Sequence, residues 1–269
     1  KSFLWKSIDA GIIQSNIFEI TRDSQTGQNG SYATIRNLSL SSNIISPAFS
    51  PNGNALFYLL SSPSGIVGYL ANEQGENSSA LWQSDINEWV SEWSSAGAIT
   101  LTSKASNNAP GIMLLLNPQT KKASTVLSGI SGLTTKTSPT GKKVLYGNAT
   151  NASYSTRIYF IATNNTDDAF FMTLPEKCVW AHSEIFIVCG QPKEMVSGLP
   201  DLWYKGKVSF NDELWKLNLQ TLEMTRISEL NPSENTHIDV MNIHISKDDK
   251  HVVFTNKKDL SLWSVSLNN

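Results

Sequence analysis

A repeated order of turns and strands restricts the fold of this chain more than any other feature. In four segments a short apolar strand leads to a Ser-Pro-like turn that contains Gly or Asp, and two further apolar strands follow. The pattern is clearest around the turns at residues 46–53, 137–143 and 246–251. Successive copies lie about 40 to 50 residues apart, which is the repeat length typical of four-stranded propeller blades.

Two strands that contain tryptophan support the same repeat. Residues 260–267, around Trp263, alternate apolar and polar side chains, and residues 213–219, around Trp215, are nearly the same. Alternation with period two is typical of a half-buried strand. One blade is too small to bury both of its faces, so blades must stack against their neighbours. The sequence therefore predicts an all-β chain that folds as a β-propeller of four-stranded antiparallel blades.

The spacing predicts about six blades, and five to seven are compatible with it. We expect residues 1–269 to form one propeller domain, with approximate blades at 1–45, 46–84, 85–129, 130–177, 178–230 and 231–269. The first of these contains strand-like segments but no Ser-Pro-x-Gly turn. Two arrangements stay open: an incomplete first blade, or an N-terminal strand that completes the last blade and closes the ring.

The charge distribution excludes several classes of partner. Charged residues are 16% of the chain, below the usual share of about a quarter, and the formal net charge is −2. Basic residues form no cluster larger than a pair, whereas nucleic acids and anionic membrane surfaces require a concentrated positive patch. No apolar run approaches the roughly 18 residues of a transmembrane helix. We therefore expect no nucleic-acid partner and no membrane insertion of this segment.

The two cysteines, Cys178 and Cys189, flank a predicted β-hairpin with its turn at residues 183–184. In this register Val179 pairs with Val188, and the cysteines lie directly opposite each other. Opposed residues of an antiparallel pair bring their Cα atoms to about 4.5 Å, which a disulfide can bridge. The alternative is a pair of buried free thiols. A disulfide would place the protein outside the cytosol, and two cysteines are too few for a structural zinc site.

The turn sequences resemble those of a known propeller family. Ser-Pro-Asn-Gly at 50–53, Ser-Pro-Thr-Gly at 138–141 and Ser-Lys-Asp-Asp at 246–249 each precede an apolar strand and then a Leu-Trp strand. In this they are similar to the repeats of TolB-like (WD-repeat-like) β-propellers. The resemblance covers residues 46–269 and implies the same fold.

Three other strings resemble a narrower group, the uncharacterised propellers of candidate-phylum bacteria. They are Leu-Pro-Glu-Lys-Cys-Val-Trp at 174–180, Asp-Leu-Trp-Tyr-Lys-Gly at 201–206 with the following Val-Ser-Phe, and Phe-Thr-Asn-Lys-Lys-Asp at 254–259. Members of that group are usually predicted to be anchored at the cell surface. The resemblance implies a bacterial surface protein whose anchor lies outside these residues.

The sequence contains no motif that would indicate catalysis. Residues 128–132 (Ser-Gly-Ile-Ser-Gly) lack the Gly-x-Ser-x-Gly spacing of serine hydrolases. The four histidines show no metal-ligand spacing, and His237-Ile238-Asp239 is interpreted as a solvated loop. We therefore expect no catalytic residue, no metal site and no cofactor.

A long insertion at residues 191–211 is the segment most suggestive of recognition, because loops on a rigid scaffold often carry function. It contains Asp201, Trp203 and Tyr204, which we interpret as candidate ligand-binding residues. The alternative is that Trp203 and Tyr204 pack back over the blade and fix the loop. Trp89 and Trp93 lie among apolar residues near a strand start, which favours core packing.

These observations favour a non-catalytic, extracytoplasmic propeller at a bacterial cell surface that binds a protein or a cell-envelope glycan. The fold alone does not decide this, because propellers include enzymes and scaffolds. The alternative is a carbohydrate-active lyase or hydrolase with acidic groups gathered from several blades at the central channel. A third hypothesis is a purely structural module of a surface assembly.

Overall fold

The computed structural model describes residues 2–9, 12–19, 21–22, 32–33, 38–40, 44–95, 97–150, 153–228 and 237–267. For the described residues before residue 44, we report only the backbone strands. These ranges contain one 3-10 turn, Pro175–Lys177, and one short α-helix, α1, Asp201–Tyr204. The strands are β1 Ser2–Asp9, β2 Ile12–Glu19, β3 Thr21–Arg22, β4 Tyr32–Ala33, β5 Leu38–Leu40, β6 Ile44–Phe49, β7 Ala55–Ser62, β8 Gly65–Asn72, β9 Ser79–Ser84, β10 Trp89–Ser95, β11 Ala98–Ser103, β12 Pro110–Leu116, β13 Ala123–Ser131, β14 Thr135–Thr137, β15 Lys143–Ala149, β16 Tyr154–Phe160, β17 Asn165–Asp168, β18 Cys178–Trp180, β19 Phe186–Pro192, β20 Asp212–Asn218, β21 Met224–Ser228, β22 Val240–Ile245, β23 His251–Asn256 and β24 Leu262–Ser266.

The chain divides into two compact units. Residues 1–101 with 115–123 form the first unit, and residues 102–114 with 124–269 form the second. The first unit contains the sheet β6-β7-β8-β9 and the smaller sheets β1-β2-β5 and β3-β4. The second contains β14-β15-β16-β17, β18-β19-β20-β21 and β22-β23-β24. A further four-stranded sheet is β10-β11-β12-β13.

In every four-stranded sheet the strands pair in chain order and run antiparallel, which is the construction of a propeller blade. Together with the three-stranded sheet β22-β23-β24, the described residues show five blades. The prediction of an all-β propeller with four-stranded antiparallel blades is confirmed, and the blade number lies within the predicted range. Neither helical segment in the described ranges has the length or apolar content of a membrane-spanning helix.

The repeated turn has the same hydrogen bonds in each copy, which explains the sequence pattern. Between β6 and β7 the Ser50 N–H donates to the Ala55 carbonyl at 2.8 Å, and Ser50 Oγ accepts from the Ala55 N–H at 3.0 Å. Gly53 has a φ of +78° and donates its N–H to the Ser50 carbonyl at 2.8 Å. The equivalent residues are Ser138, Gly141 and Lys143 in the second copy and Ser246, Asp249 and His251 in the last. The fourth position needs a positive φ, which Gly adopts freely and Asp tolerates.

In the second unit, β18 and β19 bury apolar side chains on both faces of their sheet. Trp180 and Ile187 belong to a core cluster shared with β15 and β16, whereas Val179 and Val188 belong to one shared with β22 and β23. Successive side chains along a strand point to opposite faces, so adjacent residues pack into different cores. The alternating side chains of β18 and β19 therefore pack against a neighbouring sheet on each face, which is the blade stacking that the repeat predicts.

The hairpin of β18 and β19 carries the predicted disulfide, between Cys178 and Cys189. The two residues are directly opposite, with their Cα atoms 4.1 Å apart, and Val179 pairs with Val188 as the predicted register requires. Both cysteines are 0% exposed. The disulfide prediction is confirmed, and the alternative of two free thiols is excluded.

Candidate functional site

The insertion loop, residues 193–211, connects β19 to β20 and contains α1. Its Leu199, Trp203 and Phe210 side chains are buried in one apolar cluster together with Tyr154 of β16. Burial of three large side chains fixes the loop against the blades of the second unit. The loop is therefore a packed part of the fold, with a defined outer surface.

Beneath the loop, a fully buried lysine is paired with two fully buried carboxylates. Lys177, the last residue of the 3-10 turn, places Nζ 2.5 Å from Asp212 Oδ2 and 2.5 Å from Asp239 Oδ1. All three side chains are 0% exposed. Charges buried this deeply persist only when they are paired and hydrogen-bonded. Removal of any one of the three charges would therefore leave another charge buried without its partner.

Donors from the insertion loop complete the surroundings of Asp239. Trp203 Nε1 donates to both carboxylate oxygens, at 3.0 and 3.1 Å. Ser209 Oγ and the Phe210 N–H donate to Oδ2, at 3.1 and 3.2 Å. Hydrogen bonds to a charged acceptor are stronger than those between neutral groups. Asp239 therefore ties the loop firmly to the start of β22.

The two carboxyl groups are shifted in opposite directions. Burial raises the pKa of Asp212 above its ordinary value, although Lys177 and the Val240 N–H, 2.6 Å from Oδ2, offset part of this effect. Burial also opposes ionisation of Asp239, but Lys177 and the loop donors outweigh it and hold the pKa of Asp239 below its ordinary value. Asp239 is thus the firmly ionised partner of Lys177. Asp212 is the more easily protonated one, and its Oδ1 has no hydrogen-bond partner in the described ranges.

Two aromatic rings pack around the ammonium group of Lys177. Its Nζ lies 4.9 Å from the centre of the Phe210 ring and 5.4 Å from that of Trp203. Lys257 Nζ donates to the Trp203 carbonyl at 2.8 Å and lies 4.9 Å from the centre of the same ring. Lys177 is 0% exposed and therefore has no access to a ligand, so we assign it a structural role.

We name Lys177, Trp203, Asp212, Asp239 and Lys257 the anchor cluster. Its role is to position the insertion loop.

Three of the strings quoted from the sequence, at residues 174–180, 201–206 and 254–259, meet in the anchor cluster. Each contributes one member: Lys177, Trp203 and Lys257, in chain order. The strings lie far apart in the sequence, so only the fold brings them together. Their common location links them to the support of the insertion loop.

The predicted ligand-binding residues all lie on α1. Asp201 accepts hydrogen bonds from Oγ and N–H groups of the turn at residues 106–107, at 3.2 and 2.6 Å. Trp203 is 5% exposed, as the packing alternative expects, whereas Tyr204 is 38% exposed. The Tyr204 hydroxyl donates to Glu176, and burial beside this carboxylate raises the pKa of Tyr204 well above its ordinary value. A ligand-binding role for the three residues stays a prediction, and Tyr204 has the most exposed surface among them.

Beside the insertion loop is an open cavity of about 560 Å³, which we name the basic cavity. Its charged lining residues are Lys193, Lys207, Lys258 and a single carboxylate, Glu194, and His237 is part of its wall. The other lining residues are Val196, Val208, Ser209, Phe210 and Asn211. Ser209 and Phe210 are the residues that donate to Asp239, so the anchor cluster fixes one wall of the cavity. The sequence does not indicate that these lysines meet, because Lys193 and Lys207 belong to the insertion loop and Lys258 to the turn after β23.

The segment His237-Ile238-Asp239 is not the solvated loop that its polar residues predict. His237 is exposed at the basic cavity, but Ile238 and Asp239 are 0% exposed. Asp239 is buried because Lys177 and the donors of the insertion loop offset the cost of desolvating its charge. Its ion-pair partner is 62 residues away, so no local pattern indicates the burial.

The first unit contains a second cavity, of about 360 Å³. It is lined by Ser50, Pro51, Asn52, Asn54, Ala55, Leu70, Trp93, Pro118 and Gln119, none of which is charged. Trp89 is 4% exposed and packs edge-on against Trp82, so its predicted core position is confirmed. Trp93 differs, because it is partly exposed at this cavity. Within the described ranges, no group of three His, Cys, Asp or Glu side chains is arranged to hold a metal ion.

Comparison with solved structures supports the TolB-like propeller fold at low sequence identity. The chain is similar to TolB from Acinetobacter baumannii, with a TM-score of 0.64 and 12% identity over 95% of this chain, and it spans 57% of that chain. It is also similar to the structure of a nidogen/laminin complex, with a TM-score of 0.60 and 9% identity over 99% of this chain and 90% of that chain. A third likeness is to oligogalacturonate lyase in complex with manganese, with a TM-score of 0.58 and 11% identity over 100% of this chain and 86% of that chain. No protein-family model and no curated protein matches the sequence.

Proposed function

We propose that this propeller is a non-catalytic, extracytoplasmic binding module that recognises a protein or glycan of the cell envelope through the surface of its insertion loop. The observation that carries the proposal is the combination of a loop fixed from beneath by the anchor cluster and an open cavity beside it. A fixed loop loses little conformational entropy when a partner binds. The buried disulfide supports a location in an oxidising compartment.

The cavity mouth offers a test that leaves the charges unchanged. Val196 lines the basic cavity and is 39% exposed, so Val196→Trp should fill part of the cavity without burying a polar group. Val90 on β10 is 51% exposed in the first unit, and Val90→Trp is the matched control. We expect immobilised wild-type protein and the Val90→Trp variant to retain the same material from separated envelope protein and polysaccharide fractions. The Val196→Trp variant should retain at most about a tenth as much, because a steric block costs more than 1.4 kcal/mol.

Mass spectrometry of the retained and released material decides between the hypotheses. Equal retention by the two tryptophan variants would place recognition elsewhere than the insertion loop and would refute the proposal. Release of shortened or unsaturated oligosaccharides would support the second candidate, a lyase or hydrolase with its site at the central channel. The fold likeness to oligogalacturonate lyase is the observation in favour of that candidate.

A further inference from the structure

The basic cavity carries a charge opposite to that of the chain as a whole. Its lining contains three lysines and one glutamate, a formal charge of +2 with His237 neutral, whereas the whole chain has a net charge of −2. A cavity lined mainly by one sign of charge concentrates ligands of the other sign. The lining therefore selects for an anionic group.

Two of the three lysines have no ion-pair partner among the described residues. Lys193 lies 3.6 Å from Glu213, a carboxylate that also pairs with Arg226 at 3.2 Å. Lys207 on the insertion loop and Lys258 after β23 have no such pair in the described part of the chain, and both are exposed. Their ammonium groups are therefore available to a ligand, and they approach the cavity from two separate segments.

The rest of the lining suits a hydroxylated ring. Ser209 and Asn211 contribute polar side chains to the lining, and such groups can form hydrogen bonds with ligand hydroxyls. Val196 and Val208 supply apolar surface for the C–H face of a ring. The volume of about 560 Å³ is within the usual range for small-molecule sites, roughly 300 to 1,000 Å³. Lysines, neutral polar side chains and apolar patches together match a sugar that carries an acidic group.

We infer that the basic cavity binds an anionic polysaccharide, with Lys207 and Lys258 in contact with its acidic groups. The inference rests on the proposed function, because it names the ligand class of the same loop surface. Carboxylate and phosphate groups share the required charge, so the test includes both.

The test measures binding of wild-type protein to polymannuronate, hyaluronate and poly(glycerol phosphate), with the methyl esters of the first two as neutral counterparts. We expect at least one acidic polymer to bind, the corresponding neutral ester to bind at least about tenfold more weakly, and the affinity to fall as salt is added. A uronate polymer as the preferred ligand identifies carboxylate as the recognised group, and poly(glycerol phosphate) identifies phosphate. If no acidic polymer binds, or if the esters bind equally well, the inference is overturned.

A pair of variants with equal charge changes locates the site. Lys207→Gln with Lys258→Gln should weaken binding by about tenfold or more, because each lysine contributes a charge-assisted hydrogen bond. Lys121→Gln with Lys122→Gln, in the exposed turn after β12, removes the same charge elsewhere and should change the affinity by less than about twofold. Equal loss in both double variants would show non-specific attraction and would contradict the inference. If Val196→Trp abolishes envelope binding while the Lys207/Lys258 variant keeps it, the proposed function stands and the anionic ligand class is rejected.

Discussion

Replacing Lys177 by methionine is expected to lower the free energy of unfolding by about 3 to 5 kcal/mol at neutral pH. Methionine is unbranched like lysine and one atom shorter, and the substitution removes the charge, so two carboxylates are left close together without their cation. Lys177, Asp212 and Asp239 are all 0% exposed, and solvent therefore cannot compensate for the loss. Urea unfolding followed by tryptophan fluorescence measures the change.

A partly exposed ion pair in the same unit is the matched control. Lys143 Nζ lies 3.1 Å from Glu184 Oε2, and the two side chains are 26% and 10% exposed. Lys143→Met should cost no more than about 1 kcal/mol, because solvent reaches the lysine and screens the pair. Equal losses from the two lysine variants would show that burial does not govern the contribution of Lys177.

The pH dependence of the Lys177→Met variant distinguishes lost charge pairing from poor packing. In the wild-type protein Lys177 helps to hold the pKa of Asp239 below its ordinary value. Without the lysine, burial dominates and raises that pKa, so Asp239 favours folding when protonated and opposes it when ionised. The destabilisation should therefore shrink as the pH falls from 7 towards about 4, near the ordinary carboxyl pKa. A loss that is constant with pH would indicate a packing defect instead.

The sequence predicts those parts of the fold that depend on local order. Ser50, Ser138 and Ser246 each close a turn through contacts within the next five residues, so the turn is visible in any short window. The pairing of Cys178 with Cys189 follows from the register of one hairpin. Period, turn chemistry and hairpin register are properties of neighbouring residues, and all three could be predicted.

The anchor cluster and the basic cavity depend on pairings between distant segments. Lys177 pairs with Asp212 and Asp239, which are 35 and 62 residues further along the chain. A single sequence gives no indication that these charges meet, and each of them alone is typical of a solvated turn. The sequence indicates Trp203 as a candidate site residue, but it predicts that Asp239, which accepts the Trp203 hydrogen bond, lies in a solvated loop. The candidate site is therefore only partly predictable, because its chemistry is created by blade stacking.

The disulfide gives the second large effect. Replacing both Cys178 and Cys189 by alanine should lower the free energy of unfolding by about 3 kcal/mol, the chain-entropy value for a loop with this sequence separation of 11. Because both cysteines are 0% exposed, reductant should act on the wild-type protein mainly after unfolding. We expect reductant to lower the urea midpoint of the wild-type protein to that of the double variant and to leave the variant unchanged. A wild-type midpoint that does not respond to reductant would contradict the assigned stabilisation.

The disulfide and the anchor cluster are adjacent in the chain, which connects redox state to the binding surface. Cys178 directly follows Lys177, so the bond to β19 holds the end of the 3-10 turn from which Lys177 extends. Loss of the bond should loosen that turn and, through Asp239 and Trp203, the insertion loop. Amide hydrogen exchange in residues 193–211 should therefore increase more in the double cysteine variant than exchange in β6 to β9 of the first unit. An equal increase in both regions would mean that the disulfide stabilises the fold uniformly and does not act through the loop.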